Sequence, residues 1–149
     1  MRITEALVAE HTIFLSVFDQ IERALPSLAT PAEVRTMAGI VEGLLQGHAK
    51  TEANLAYVAL DHMLEHKGEL KRMHQDHHEI DERLRQVQAA NTCAEACRLL
   101  KAAIASSREH FRVEERSVFP LLEKSLGAET LIDLGKTWTK REAAPARCA

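Results

Sequence analysis

The residues best suited to chemistry lie in the stretch REHFRVEERSVFP, residues 108–120, which combines an imidazole with two carboxylates. Residues four apart share one face of an α-helix, so His110 and Glu114 can bind one ion together, and Glu115 follows directly. Apolar residues recur around them at Leu100, Ile104, Phe111, Val118 and Leu121. This pattern indicates a buried stripe, with Glu114 on it and His110 at its edge. A carboxylate there needs a compensating cation, because burying an unpaired charge is costly.

Two earlier segments also place imidazoles on apolar helical stripes. His11 falls within the stripe of the first predicted helix, and His48 falls within that of the second. Glu52 lies four residues after His48, so this pair repeats the spacing of His110 and Glu114. We therefore expect both pairs to face the interior.

The segment HQDHHEID, residues 74–81, carries three histidines, and His77 fits the buried stripe of its helix best. His74 lies beside that stripe and is a further candidate ligand. His78 is rotated by about 100° from the stripe, so we expect it to be exposed and regard it as an alternate ligand only.

Four long helices are needed to bring these residues together. The predicted helices run from about Ile3 to Leu25, from Pro31 to between Leu55 and Leu60, from Gly68 to Ala90, and from a Thr92 cap through Val118. Pro120 is predicted to end or kink the last of them. Short connections favour an antiparallel up-down-up-down four-helix bundle over residues 1–125, followed by a short amphipathic helix and tail at 126–149. In that bundle all the inward residues lie roughly 6 to 18 Å from the same end.

Composition limits the classes of function. The chain has 149 residues, a formal net charge of −3 and 46% hydrophobic residues, which favours a helical globular domain. No basic patch indicates nucleic acid, and neither a signal peptide nor a membrane span is predicted, so we expect a cytoplasmic protein. Cys93 and Cys97 lie one turn apart and are read as reduced thiols, with redox sensing as the alternative.

The donor set favours a pair of metal ions. Imidazole and carboxylate without thiolate suit iron, manganese or zinc, and the number of ligands exceeds what one tetrahedral zinc ion uses. Two octahedral ions bridged by the carboxylates would use all of them, which favours iron. The structural alternative is a buried hydrogen-bonded network without metal, in which histidines alone would satisfy two carboxylates.

The same residues resemble the hemerythrin-like, HHE cation-binding family over about residues 4–125. The family pattern is a His on the first helix, HxxxE on the second, a His on the third and HxxxE on the fourth. It matches His11, His48 with Glu52, His77, and His110 with Glu114. The resemblance implies a four-helix bundle holding two non-haem iron ions, with histidines as terminal ligands and the glutamates as bridges. Hemerythrins proper carry HxxxH and HxxxxD instead, for which His74 with His78, and Glu115, are the nearest counterparts.

The resemblance favours a di-iron protein that binds or senses dioxygen, nitric oxide or peroxide. A second hypothesis is an enzyme of the same metal class that decomposes hydrogen peroxide or reduces nitric oxide. A third, without metal, is a phosphotransfer or interaction module that uses an exposed histidine such as His78. The expected partner is a small gas or peroxide molecule, with no nucleic acid or membrane, and the chain is expected to be a monomer or a weak homodimer.

Overall fold

The computed structural model describes residues 1–61 and 68–142, and every regular element among these residues is helical. The α-helices are α1 (Ile3–Ala24), α2 (Pro31–Thr51), α3 (Val58–Asp61), α4 (Gly68–Ala89), α5 (Cys93–Val113), α6 (Phe119–Ser125) and α7 (Ala128–Glu142). The predicted all-α class is therefore confirmed. The end of the predicted tail lies outside the described residues.

Local sequence explains where α2 and α5 begin. The Thr30 hydroxyl accepts a hydrogen bond from the Glu33 N–H at 3.3 Å, and the Glu33 carboxylate accepts one from the Thr30 N–H at 2.9 Å. Thr92 caps α5 in the same way, accepting from the Glu95 N–H at 3.2 Å. The Glu95 carboxylate instead accepts from the N–H of Asn91, one residue earlier than in a capping box. Both helices thus begin with side-chain partners for N–H groups that have none within the helix.

The described chain contains two π-helical segments, and each begins at a buried glutamate. One spans Glu52–Tyr57 and continues α2, and the other spans Glu114–Val118 and continues α5. A π turn contains an extra residue, so it changes the face that the following side chains present. Pro120 lies just after the second segment and lacks the N–H that an uninterrupted α-helix would use there. The predicted end or kink at this proline thus takes the form of a change of helix type before α6.

Apolar side chains of the long helices form two buried cores. The first contains, among others, Phe14, Phe18, Leu45, Ile80, Ile104 and Phe111. The second contains, among others, Leu7, Leu55, Met73, Val118, Phe119 and Leu122. Along each long helix, the candidate ligands lie between residues of the first core and residues of the second. α4 packs against α2 and α5, and α1 packs against α2, α5 and α7, which closes both cores into a helical bundle.

The C-terminal helix α7 docks on the start of α1. Its Leu131 is buried in the second core, and Trp138 packs against that core. Gly135 approaches the N-terminus so closely that a Cβ atom there would overlap the carbonyl oxygen of Met1. A short amphipathic C-terminal helix is therefore present, while the domain boundary between residues 125 and 126 stays a prediction.

The long helices are amphipathic, with buried and exposed residues alternating around each axis. Within residues 1–61 and 68–142, no helix combines the length and the hydropathy that a membrane span needs.

Candidate metal centre

Six side chains with metal-binding groups meet in the interior between the two cores. They are His11 of α1, His48 of α2, His77 of α4, His110 of α5, and Glu52 and Glu114, the first residues of the two π segments. Five of them are at most 3% exposed, and His77 is half-buried. The sequence predicted that all six face inward, and the structure brings them together.

Among the described residues, the ligand atoms form two overlapping groups. His11 and His48 belong to one group, His77 and His110 belong to the other, and Glu52 and Glu114 belong to both. Within each group the ligand atoms lie within 4.8 Å of one another. Two shared carboxylates between two imidazole pairs are the arrangement that two neighbouring, carboxylate-bridged cations require.

Many polar atoms that face this centre lack a hydrogen-bond partner. In the described part of the chain, these buried atoms include both carboxylate oxygens of Glu52, Oε2 of Glu114, Nε2 of His77 and both ring nitrogens of His110. Glu114 Oε2 lies 3.4 Å from the Nε2 atoms of both His11 and His110. Leaving a buried polar atom unsatisfied costs about 1–3 kcal/mol, so several at one point are a large penalty. A bound cation would satisfy these atoms together, so the residues fit a metal centre.

Carboxylates fix the outer nitrogens of two imidazoles. His11 Nδ1 donates a hydrogen bond to Glu115 Oε1, and His48 Nδ1 donates one to Glu10 Oε2, both at 2.9 Å. This leaves the Nε2 atoms of both rings directed inward, 2.9 Å from each other. Two lone pairs at that distance repel unless a proton or a cation lies between them. Outer carboxylates of this kind commonly orient metal-binding imidazoles.

The inner carboxylates make His11 and His48 basic. Burial disfavours the charged His11 imidazole, but the adjacent carboxylates of Glu114 and Glu52 raise its pKa to about 9. Burial also opposes charge on His48, whose pKa is raised to about 10 by the charge of Glu52, 3.0 Å away, and by the hydrogen bond with Glu10. Near neutral pH, protons therefore occupy these imidazoles in the metal-free protein, and a cation would displace them.

The remaining groups of the centre divide into charged and neutral forms. Burial and the charge of Glu52 raise the pKa of Glu114 to about 7. Burial opposes charge on the Glu52 carboxyl, but the imidazoles around it hold its pKa well below the usual range. Burial and the nearby His77 lower the pKa of His110 to about 3, so this ring is neutral and has a lone pair available for a metal.

Tyr57, the one tyrosine of the chain, is a member of the site that the sequence analysis missed. Its side chain is 1% exposed, and its hydroxyl donates a hydrogen bond to Glu114 Oε1. Burial and the charges of Glu52 and Glu114 raise the pKa of this phenol above its ordinary value, so it remains protonated. The π segment explains the omission. Tyr57 is five residues after Glu52, and in a regular α-helix two residues at that spacing do not share a face.

Of the histidines of α4, His74 and His78 lie outside both ligand groups. His74 is exposed, and its ring packs edge-on against Tyr57 with centroids 5.3 Å apart. His78 is exposed on the outer surface of the helix. His77 differs because it lies in phase with the buried stripe of α4.

Glu114 and Glu115, the alternatives for the bridging carboxylate, occupy different places. Glu114 is fully buried and belongs to both ligand groups. Glu115 is 40% exposed and binds the outer nitrogen of His11, on the side of the ring that faces away from the centre. Successive residues of a helix point in different directions, so Glu114 faces the centre and Glu115 supports the candidate ligand His11.

A cavity of about 20 Å³ adjoins the centre. Its lining comprises the imidazoles of His48, His77 and His110, the side chains of Leu45, Ala49, Ile80 and Phe111, and Asp81. A space of this size holds one molecule of about the size of water. A small ligand there would contact imidazole edges on one side and mostly apolar groups on the other.

An all-helical protein with histidines and glutamates gathered in two interior groups is, as a class, a candidate metal-binding helical bundle. The family model described as hemerythrin HHE cation binding domain matches residues 2–122, a range that includes all six of these residues. The chain therefore belongs to the hemerythrin HHE cation-binding family, and the resemblance stated from the sequence is confirmed. Comparisons with curated proteins and with solved structures found no match.

Proposed function

We propose that this chain is a non-haem di-iron protein that binds dioxygen, nitric oxide or hydrogen peroxide. The observation that carries the proposal is the set of buried oxygens and nitrogens of Glu52, Glu114, His77 and His110, which face one another in the interior without well-oriented hydrogen bonds. Iron suits a donor set of imidazoles and carboxylates without thiolate, and the number of donors suits two ions better than one.

In this proposal His11 and His48 would hold one iron ion, His77 and His110 would hold the other, and Glu52 and Glu114, which belong to both groups, would serve both. When bound, the iron ions supply the coordination position for the small ligand and the electrons for its chemistry. The chain holds the imidazoles in the correct tautomer through Glu10 and Glu115. We further propose the up-down-up-down arrangement of the four long helices, a cytoplasmic location, and a monomer or weak homodimer.

The cavity beside the centre supports the proposal that the ligand is small. Its volume of about 20 Å³ admits a molecule of a few atoms and excludes a larger substrate. Leu45, Ile80 and Phe111 restrict the access of water to the imidazole edges, because they form apolar walls. A protected, mostly apolar pocket is the environment in which a diatomic ligand competes well with water.

The proposal is tested by the visible absorption of protein purified from cells grown with iron. Anaerobic reduction followed by dioxygen, nitric oxide or peroxide is expected to change the iron bands with at least one ligand, and a His110→Ala variant is expected to lose that change. A His78→Ala variant serves as the control, because His78 is an exposed histidine outside both ligand groups. Iron-loaded protein whose spectrum responds to none of the three ligands would contradict the proposal.

Tyr57 favours a second candidate function, the disproportionation of hydrogen peroxide into water and dioxygen. Its hydroxyl is hydrogen-bonded to Glu114 within the centre, so it can donate a proton to the oxygen that leaves one peroxide molecule as water. It would recover a proton from the second peroxide molecule, which is oxidised to dioxygen. A Tyr57→Phe variant is then expected to retain its metal and lose about ten-fold or more in dioxygen evolution. An unchanged rate with full metal content would refute the role of Tyr57, and a wild-type protein that evolves no dioxygen would refute the activity.

A further inference from the structure

A cleft of about 370 Å³ runs between α4 and α5, directly beside the centre. Asp76 and Glu79 line it from α4, and Glu109 lines it from α5. Among the described lining residues Arg72 is the one guanidinium, and Arg112, outside the lining, pairs with Glu109, so the carboxylates still exceed the nearby positive charges by one. His110 also lines this cleft, although its side chain is 2% exposed. The cleft therefore joins an acidic surface to one of the innermost residues of the protein.

His110 connects the cleft with the centre through the two nitrogens of one ring. Its Nδ1 atom lies 3.6 Å from Asp76 Oδ2, and its Nε2 atom lies 3.4 Å from Glu114 Oε2. Neither nitrogen has a hydrogen-bond partner within the described chain. Among the described residues, this buried imidazole thus lacks a hydrogen-bond partner on both sides, one towards an acidic cleft and one towards the candidate ligands.

The carboxylates of the cleft differ in the hydrogen bonds and ion pairs that they form with neighbouring side chains. Glu109 forms a two-point ion pair with Arg112, and Glu79 accepts a hydrogen bond from Gln75 Nε2 at 3.2 Å. Asp76 lies deeper, and Arg72 Nε and His110 Nδ1 are 3.9 and 3.6 Å from its Oδ2 atom, both beyond hydrogen-bond distance. An incoming cation would thus first meet Glu79 and the Arg112-paired Glu109, and then Asp76 immediately before His110.

Another acidic cleft, between α1 and α6, lacks this arrangement. It is lined by Glu5, Glu115 and Glu123. Glu5 accepts a hydrogen bond from the backbone N–H of Arg2, Glu123 accepts one from the hydroxyl of Thr4, and Glu115 accepts one from His11. The outer nitrogen of His11 is therefore satisfied, whereas that of His110 is not. The cleft between α1 and α6 therefore serves as a control, because it is also acidic but its described lining offers no unsatisfied imidazole nitrogen.

We propose that the cleft between α4 and α5 is the route by which a divalent cation such as iron(II) enters the buried centre, with Asp76 as its last ligand before His110. This inference rests on the proposed di-iron function, since it names the path to that centre. Negative charge along such a path attracts cations and raises the rate of association. Asp76 then replaces part of the hydration shell, so the cation reaches His110 partly desolvated.

The route is tested by the rate at which metal-free protein takes up cobalt(II), which reports binding through its visible bands without reacting with dioxygen. A Glu79→Gln/Glu109→Gln double variant is expected to load about three- to ten-fold more slowly at low salt. The difference should shrink as ionic strength rises, because salt screens the attraction. The final number of cobalt ions per chain should equal that of the wild type, because neither residue belongs to the ligand groups.

The matched control is a Glu5→Gln/Glu123→Gln double variant, which removes the same charge from the cleft between α1 and α6. It is expected to load at nearly the wild-type rate. Equal rates for all three proteins, or equal slowing in both double variants, would overturn the route and leave the di-iron proposal intact. A wild-type protein that binds no cobalt at all would instead overturn both proposals.

Discussion

At the residue scale, the centre consists of candidate ligands and of side chains that orient them. Glu10 and Glu115 bind the outer nitrogens of His48 and His11, each at 2.9 Å, and so direct both inner nitrogens to the centre. Neither role was visible from spacing within one helix, since each bond joins two different helices. Metal affinity should therefore depend on residues that never touch the metal.

We expect a Glu10→Gln variant to bind metal about ten-fold or more weakly, with the same number of ions at saturation. The amide oxygen can still accept a hydrogen bond from His48 Nδ1. It lacks the negative charge of the carboxylate, which strengthens this bond and makes the imidazole more basic. Competition with a chelator of known affinity measures the change. A Glu42→Gln variant is the control, because the described hydrogen bond of Glu42 is with Gln46 on the outside of α2; equal affinities in both variants would contradict the role of Glu10.

The pKa values of the centre predict how metal binding depends on pH. His11 and His48, with pKa values of about 9 and about 10, carry protons at pH 7 that a cation must displace, whereas His110, with a pKa of about 3, carries none. Loading at pH 7 should thus release about two protons from these imidazoles, and some from Glu114, whose pKa is about 7. Affinity should rise with pH until the imidazoles of the metal-free protein lose their protons. Titration in buffers of different ionisation enthalpy counts the protons, and affinity independent of pH between 7 and 9 would contradict this prediction.

At the element scale, the sequence predicted the helices well and the interruptions in them poorly. Apolar stripes and four-residue spacing were sufficient to predict that His48 and Glu52, and His110 and Glu114, face inward. Local patterns do not encode the π segments that begin at Glu52 and Glu114, because tertiary packing decides where a helix accommodates an extra residue. For that reason Tyr57 was missed.

The docking of α7 gives a prediction about stability. A Gly135→Ala variant should lower the free energy of unfolding by about 1–3 kcal/mol, because the new methyl group would overlap the backbone of Met1. Gly43→Ala is the control, since a Cβ atom there meets no atom within 4 Å in the described structure and should stabilise α2 by about 0.5–1 kcal/mol. Chemical denaturation of both variants measures the difference. A Gly135→Ala variant as stable as the wild type would show that the start of α1 moves aside freely.

At the scale of the whole molecule, the polar centre lies between two hydrophobic cores. Helix α1 passes from one core through the centre to the other, since Leu7 belongs to the second core, His11 to the centre and Phe14 to the first core. Cores on both sides hold the ligands in place and keep water from most of them. The unsatisfied atoms of Glu52 and His110 make the metal-free protein less stable than its apolar packing implies, so metal binding should also stabilise the fold.

Four imidazoles and two carboxylates are proposed to bind a pair of cations. Anaerobic titration of the metal-free protein with iron(II) tests this proposal, since the endpoint counts the ions per chain. We expect saturation at about two equivalents for the wild type, because the candidate ligands form two groups, and no saturable binding for a Glu52→Ala/Glu114→Ala variant, because those residues belong to both groups. A wild-type protein that saturates at one equivalent or binds none, or a double variant that still binds two ions, would contradict it.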